Sequence, residues 1–215
     1  MNHTVRLINA NAVDGMQQII DSNQWVDCII TNFNMDYFYE EDLKDTLQNV
    51  VQHMKAVLAC NGSVYIGAKP SDIPVVSYIF EENGCTLRNI IIIPLPGAQI
   101  LCHPTRYIDE NLKYFLFFTH TEGNPRYFNP VEHESPYCQC EFSANWDWFK
   151  GSTIIDAYRM MMKISTNHSQ AVLDPFMDAG DVGEAAILQD RDFFGIEISR
   201  ARFDDAKARL DDLGE

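Results

Sequence analysis

The chain lacks a long apolar run, a surplus of basic residues and a metal-ligand signature, and each absence excludes something. No apolar stretch approaches the ~20 residues needed to span a bilayer; the run Ile90 to Ile93 stops at Pro94. The first residues, Met-Asn-His-Thr-Val-Arg, show no basic region followed by an apolar one, so no signal peptide is expected. The expectation is a soluble, cytoplasmic protein with no membrane contact. Six cysteines are scattered at Cys28, Cys60, Cys85, Cys102, Cys138 and Cys140. Several lie in apolar settings and read as buried, reduced thiols. Cys138 and Cys140, with His133 nearby, are too closely spaced for an ordinary zinc site, so no metal is expected. Internal repeats, low-complexity tracts and long linkers are also missing.

Basic residues are scarce. Lys and Arg number 16 against 31 Asp and Glu, a formal charge of −15. A protein that grips a DNA backbone usually carries a basic footprint. Between Thr86 and Val131, Arg88, Arg106, Lys113 and Arg126 stand against Asp109, Glu110 and Glu122, a net of +1, so the rest carries −16. Any basic face is expected there. Elsewhere the acidity reads as a solubilising surface.

What is present is an ordinary globular composition: 215 residues, 46% hydrophobic and 22% charged. This suits one domain with a sizeable core. Strands are expected at Val5–Asn9, Val26–Thr31, Ser63–Gly67, Leu87–Ile93, Tyr114–Thr119, Ala171–Asp174 and Phe193–Ile198. Helices are expected at Val13–Ser22, Glu41–Leu58, Pro74–Asn83, Ser152–Ile164, Gly183–Gln189 and Ser199–Leu213. In Glu41–Leu58, Leu43, Leu47, Val50, Val51, Met54, Val57 and Leu58 follow helical spacing, with Asn61-Gly62 as the stop. Residues 94–150 are loop-rich. Alternating strands and helices imply a mostly parallel sheet covered on both faces.

Val172 to Gly183 reads Val-Leu-Asp-Pro-Phe-Met-Asp-Ala-Gly-Asp-Val-Gly, followed by Ala185-Ala186, Arg191 and Gly195-Ile-Glu-Ile198. A strand, a glycine turn, a helix and a strand ending in an acid form a ligand site in open α/β sheets. These residues resemble the cofactor motif of the DNA amino-methyltransferases, which methylate the exocyclic amino group of adenine or cytosine. Its position near the C-terminus resembles the permuted subgroup, whose catalytic motif comes first. The resemblance covers nearly the whole chain and implies a Rossmann-like α/β methyltransferase fold in a single domain, 1–215, with 94–150 a possible remnant of a target-recognition region. It also implies S-adenosylmethionine as cofactor if the protein is active. Asn11, Asp174, Phe176, Asp178, Gly180 and Glu197 would then face the cofactor. Asn32, Phe33 and Tyr37 would face the base. Arg88, Arg106 and Lys150 would touch nucleic acid.

Four positions depart from the family pattern. The catalytic tetrapeptide, Asp-Pro-Pro-Tyr or a relative, is replaced by Asn32-Phe33-Asn34-Met35. The Gly-Asp pair after the first strand is Ala10-Asn11, and Lys-Pro is Lys150-Gly151. The first glycine of the cofactor turn is Asp178. An aspartate there is expected to place charge where the cofactor's methionine part lies. The combined reading is a non-catalytic or impaired member that binds DNA or a DNA-modifying protein, with or without cofactor. The alternative is an active DNA methyltransferase. Self-association is left open.

Overall fold

The computed structural model describes residues 3–32, 43–94, 112–122 and 154–214. Seven strands form one sheet: β1 (Val5–Ile8), β2 (Val26–Asn32), β3 (Leu58–Ala68), β4 (Cys85–Pro94), β5 (Leu112–His120), β6 (Ala171–Asp174) and β7 (Asp192–Ile196). Six helices accompany them among the described residues: α1 (Ala12–Asp21), α2 (Leu43–Val57), α3 (Ile73–Glu82), α4 (Ile154–Ser165), α5 (Asp181–Ile187) and α6 (Arg200–Gly214). The strand order is β1-β7-β6-β2-β3-β5-β4. All described pairings are parallel except the two made by β5.

The two faces of the sheet hold separate cores. On one face, Met16 and Ile19 of α1, Leu47 and Met54 of α2, and Ile79 and Phe80 of α3 pack against Ile29, Val64, Leu116 and Leu173. On the other, Met161 of α4, Ala185 of α5, and Phe203 and Leu210 of α6 pack against Ile30, Tyr65, Phe115 and Phe193. The central strand β2 sends apolar residues to both sides: Cys28, Ile29 and Ile30 are all fully buried. A strand covered on both faces needs an uninterrupted apolar run rather than alternation, and β2 has one.

Most expected elements lie within a few residues of their observed bounds. The exception is the junction of α2 and β3. The helix ends at Val57 and the strand starts at once, so Asn61-Gly62 is no helix stop. Val26 pairs with Leu58 and Cys28 with Ser63, so the residues between are extra in β3. Gly62 serves this bulge, another place where a strand favours glycine. Cys28 and Cys85 are buried thiols, as expected, but Cys60 in the bulge is exposed.

The strand order reverses direction between β6 and β2. From β6 the chain steps toward β7, and from β2 toward β3. Such a switch point leaves a crevice beyond the strands' carboxyl ends. Asp174 ends β6 and Asn32 ends β2, so both lie at its mouth.

Candidate functional site

Asp174 is 3% exposed at the end of its strand. Its Oδ1 accepts the Phe176 N–H at 3.0 Å, which turns the chain out of the sheet. Burial pushes its carboxyl up to about 7. The neighbouring charges of Glu197 and Asp181 push the same way, while Thr31 and the Phe176 N–H oppose them. The buried Thr31 hydroxyl lies beside this carboxyl without completing a well-aligned hydrogen bond. Tyr158 of α4, in the field of Asp174 and Asp181, is held firmly in its neutral form by its own burial and by those charges.

Glu197, directly after β7, is 8% exposed. Its Oε2 accepts the Asp178 N–H at 3.0 Å and its Oε1 the Ser199 N–H at 2.7 Å. One carboxylate therefore ties the turn after β6 to the turn after β7. Asn9 holds the same turn from behind, its Nδ2 donating to the Glu197 carbonyl at 2.8 Å. Each carboxylate oxygen retains a second lone pair for a ligand hydroxyl.

The turn between these acids ends at Gly180, the N-cap of α5, with φ of 85°. This left-handed backbone is open to glycine at little cost. Asp178 also has positive φ, 46°, tolerable because aspartate is among the side chains that enter this region. Its carboxylate does not sit buried among the other acids. It is 62% exposed and pairs with Arg202 of α6 at 3.0 Å. The aspartate expected to place its charge in the crevice pairs with a guanidinium of α6.

Arg209, two turns further along α6, binds the rest of the turn. It donates to the Ala179 carbonyl at 2.9 Å, to Asp181 at 2.7 Å and to Glu184 at 2.5 Å. Asn9, Arg202 and Arg209 escape sequence reasoning because they act on backbone and charge from other elements. The i, i+7 spacing of the two arginines along one helix was the available signal.

Of the other expected site residues, Asn32 and Phe176 stand at the crevice, whereas Arg88 lies far from it. Asn11 caps α1: its Oδ1 accepts the Asp14 N–H at 2.9 Å and its Nδ2 donates to the Asp14 carboxylate at 2.7 Å. Phe176 is partly buried against the first core. Asn32 is exposed and opposite Gly67 of β3, where an added Cβ would lie 2.6 Å from its Oδ1. Arg88 lies on the edge strand β4, three strands and roughly 14 Å from β2, its Nε donating to Thr119 at 2.8 Å. Phe33, Tyr37, Arg106 and Lys150 lie outside the described residues, as do Cys102, Cys138, Cys140 and His133. A cavity of about 760 Å³ opens at the opposite ends of the strands, lined by Trp25, Lys55, Cys60 and His120. It holds none of the expected site residues. Among the described residues no metal-ligand cluster occurs, and no helix is long and apolar enough to cross a membrane.

Sheet order, crevice and tethered acid together define a Rossmann-like methyltransferase fold. Residues 155–208, from α4 into α6, match the DNA methylase family model. The chain is 22% identical over 187 residues to the type II methyltransferase M2.MboI of Moraxella bovis, covering 79% of this chain and 67% of that one. M1.HpyAVI in complex with S-adenosylmethionine superposes with a TM-score of 0.74 at 21% identity, covering 96% of this chain and all of that one. The cytosine-N4-specific PvuII DNA methyltransferase gives a TM-score of 0.70 at 10% identity, covering 100% and 92%. These matches bear out the resemblance to the DNA amino-methyltransferases and the fold it implied.

Proposed function

We propose that this chain binds S-adenosylmethionine in the crevice between Asp174 and Glu197, and that its methyl transfer to DNA is impaired or absent. The observation that carries the first part is the direction of Asp178. Its carboxylate pairs outward with Arg202, while Asp174 and Glu197 stay buried at the switch point. Acids held at the switch point suit a ligand bearing a sulfonium and an ammonium. When bound, such a cofactor supplies the methyl group. Among the residues of this chain, Glu197 would hold it through ribose hydroxyls.

The second part rests on the residues after β2. An exocyclic amino group is a weak nucleophile because its lone pair is delocalised into the ring. Methylating it calls for acceptors placed on its hydrogens and a ring stacked on the flipped base. Asn32 supplies one acceptor at the end of β2. The chain then reads Phe33-Asn34-Met35, without the prolines that would fix a carbonyl inward or an aromatic in the expected place. The protein then works by binding DNA or a DNA-modifying partner. Calorimetric titration with S-adenosylmethionine, followed by a labelled-methyl assay on mixed-sequence DNA, tests both parts. Saturable binding with little or no transfer is the expected result.

The second reading is a fully active enzyme, favoured by Asn32 standing at the crevice mouth with Phe33 and Tyr37 close by in sequence. DNA methylation by the pure protein, abolished by Asn32→Ala, would establish it in place of the first.

A further inference from the structure

We infer that Arg202 is a positioning residue that keeps the Asp178 carboxylate out of the cofactor crevice. The inference rests on the reading of that crevice as an S-adenosylmethionine site. The Asp178 N–H is bound to Glu197 Oε2 at 3.0 Å, so this residue's main chain lies against the acid that faces the ribose. A carboxylate on such a residue has two destinations. One is inward, where Asp174 already sits in the repulsive fields of Glu197 and Asp181. The other is outward over α6, where Arg202 meets it at 3.0 Å.

Helix α6 treats the whole turn in this manner. Arg202 takes Asp178, and Arg209 takes Asp181 and Glu184. The arginines are seven positions apart, two helical turns, so they share a stripe facing the turn. Every acid from 178 to 184 is thereby matched to a guanidinium. Without Arg202, the Asp178 side chain is free to adopt rotamers that bring a further negative charge near Glu197 and the cofactor's own carboxylate. The pair is half-exposed, 48% for Arg202 and 62% for Asp178, so screening by water and salt keeps the effect modest.

The test is a cofactor-binding cycle at low salt, with calorimetry on wild type, Arg202→Ala, Asp178→Gly and the double variant. Thermal melting of each reports whether the fold is intact. Arg202→Ala is expected to weaken S-adenosylmethionine binding roughly two- to fivefold. Asp178→Gly is expected to bind at least as tightly as wild type, and adding Arg202→Ala to it should change nothing further. High salt should shrink the effect of Arg202→Ala. Equal or tighter binding by Arg202→Ala overturns the inference while leaving the cofactor site intact. So does an equal loss in both backgrounds, since Arg202 would then act without Asp178. Absence of binding by the wild type and every variant at millimolar cofactor overturns the reading of the crevice and this inference with it.

Discussion

Glu197 spends both carboxylate oxygens on backbone N–H groups of two different turns. Hydrogen bonds to a charged group contribute about 1.5–3 kcal/mol each. Glu197→Gln loses the charge and sets an amide NH₂ against one of those N–H donors. We expect a stability loss of about 1–3 kcal/mol in urea unfolding and cofactor affinity reduced at least tenfold. Unchanged binding would remove Glu197 from the site. Asp174 makes a pH-dependent contribution. Its carboxyl is raised from the ordinary value to about 7, chiefly by burial. The folded protein therefore holds a proton that the unfolded chain releases near pH 4. Stability falls as pH rises from about 4 through 7, because the buried group must ionise. Asp174→Asn cannot ionise and keeps an oxygen for the Phe176 N–H. Relative to wild type it is expected to gain stability between pH 5 and pH 8, by no more than a few kcal/mol. A pH-independent difference between the two would contradict the shift. Asp174 and Glu197 were legible in the sequence because Asp174 ends one strand and Glu197 directly follows another, each next to a turn. The pairing of Asp178 with Arg202 was not, since the partner lies 24 positions away on another element.

The turn from Asp174 to Gly180 is shaped by backbone conformation and fastened by α6. At Gly180, φ of 85° excludes most side chains, and an added Cβ would also touch Ala206 at 3.4 Å. Gly180→Ala is expected to cost about 1–2 kcal/mol in thermal or denaturant unfolding. Loss of less than half that would mean the turn adapts freely. Arg209→Met removes the tie between α6 and the start of α5 while keeping the bulk of the stem. It should destabilise by about 1 kcal/mol or less, since the group is 35% exposed. The helices were readable from apolar periodicity wherever one face is buried, as in α2. The α2–β3 junction was not, because Asn-Gly carries the same local signal in a helix stop and in a bulge. Only pairing with β2 decides between them.

At the scale of the molecule, seven strands in the order β1-β7-β6-β2-β3-β5-β4 place the second and sixth strands side by side. Residues 142 positions apart, Asn32 and Asp174, thus end at one crevice. The sequence pattern implied a parallel sheet, and the family motif implied this meeting of strands; periodicity alone carries no strand order. The net charge of −15 belongs to this scale as well. Any binding to DNA is expected to depend weakly on salt, with a log–log slope shallower than about −3, from few phosphate contacts. Fluorescence anisotropy across a salt series measures it, and a slope near −6 or steeper would reveal a basic surface that the composition hides. The central claim is that the Asp174–Glu197 crevice holds S-adenosylmethionine. Calorimetric titration of the wild-type chain tests it most directly. One saturable site per chain, weakened at least tenfold in Glu197→Gln, is the predicted result; no heat at millimolar cofactor would contradict it.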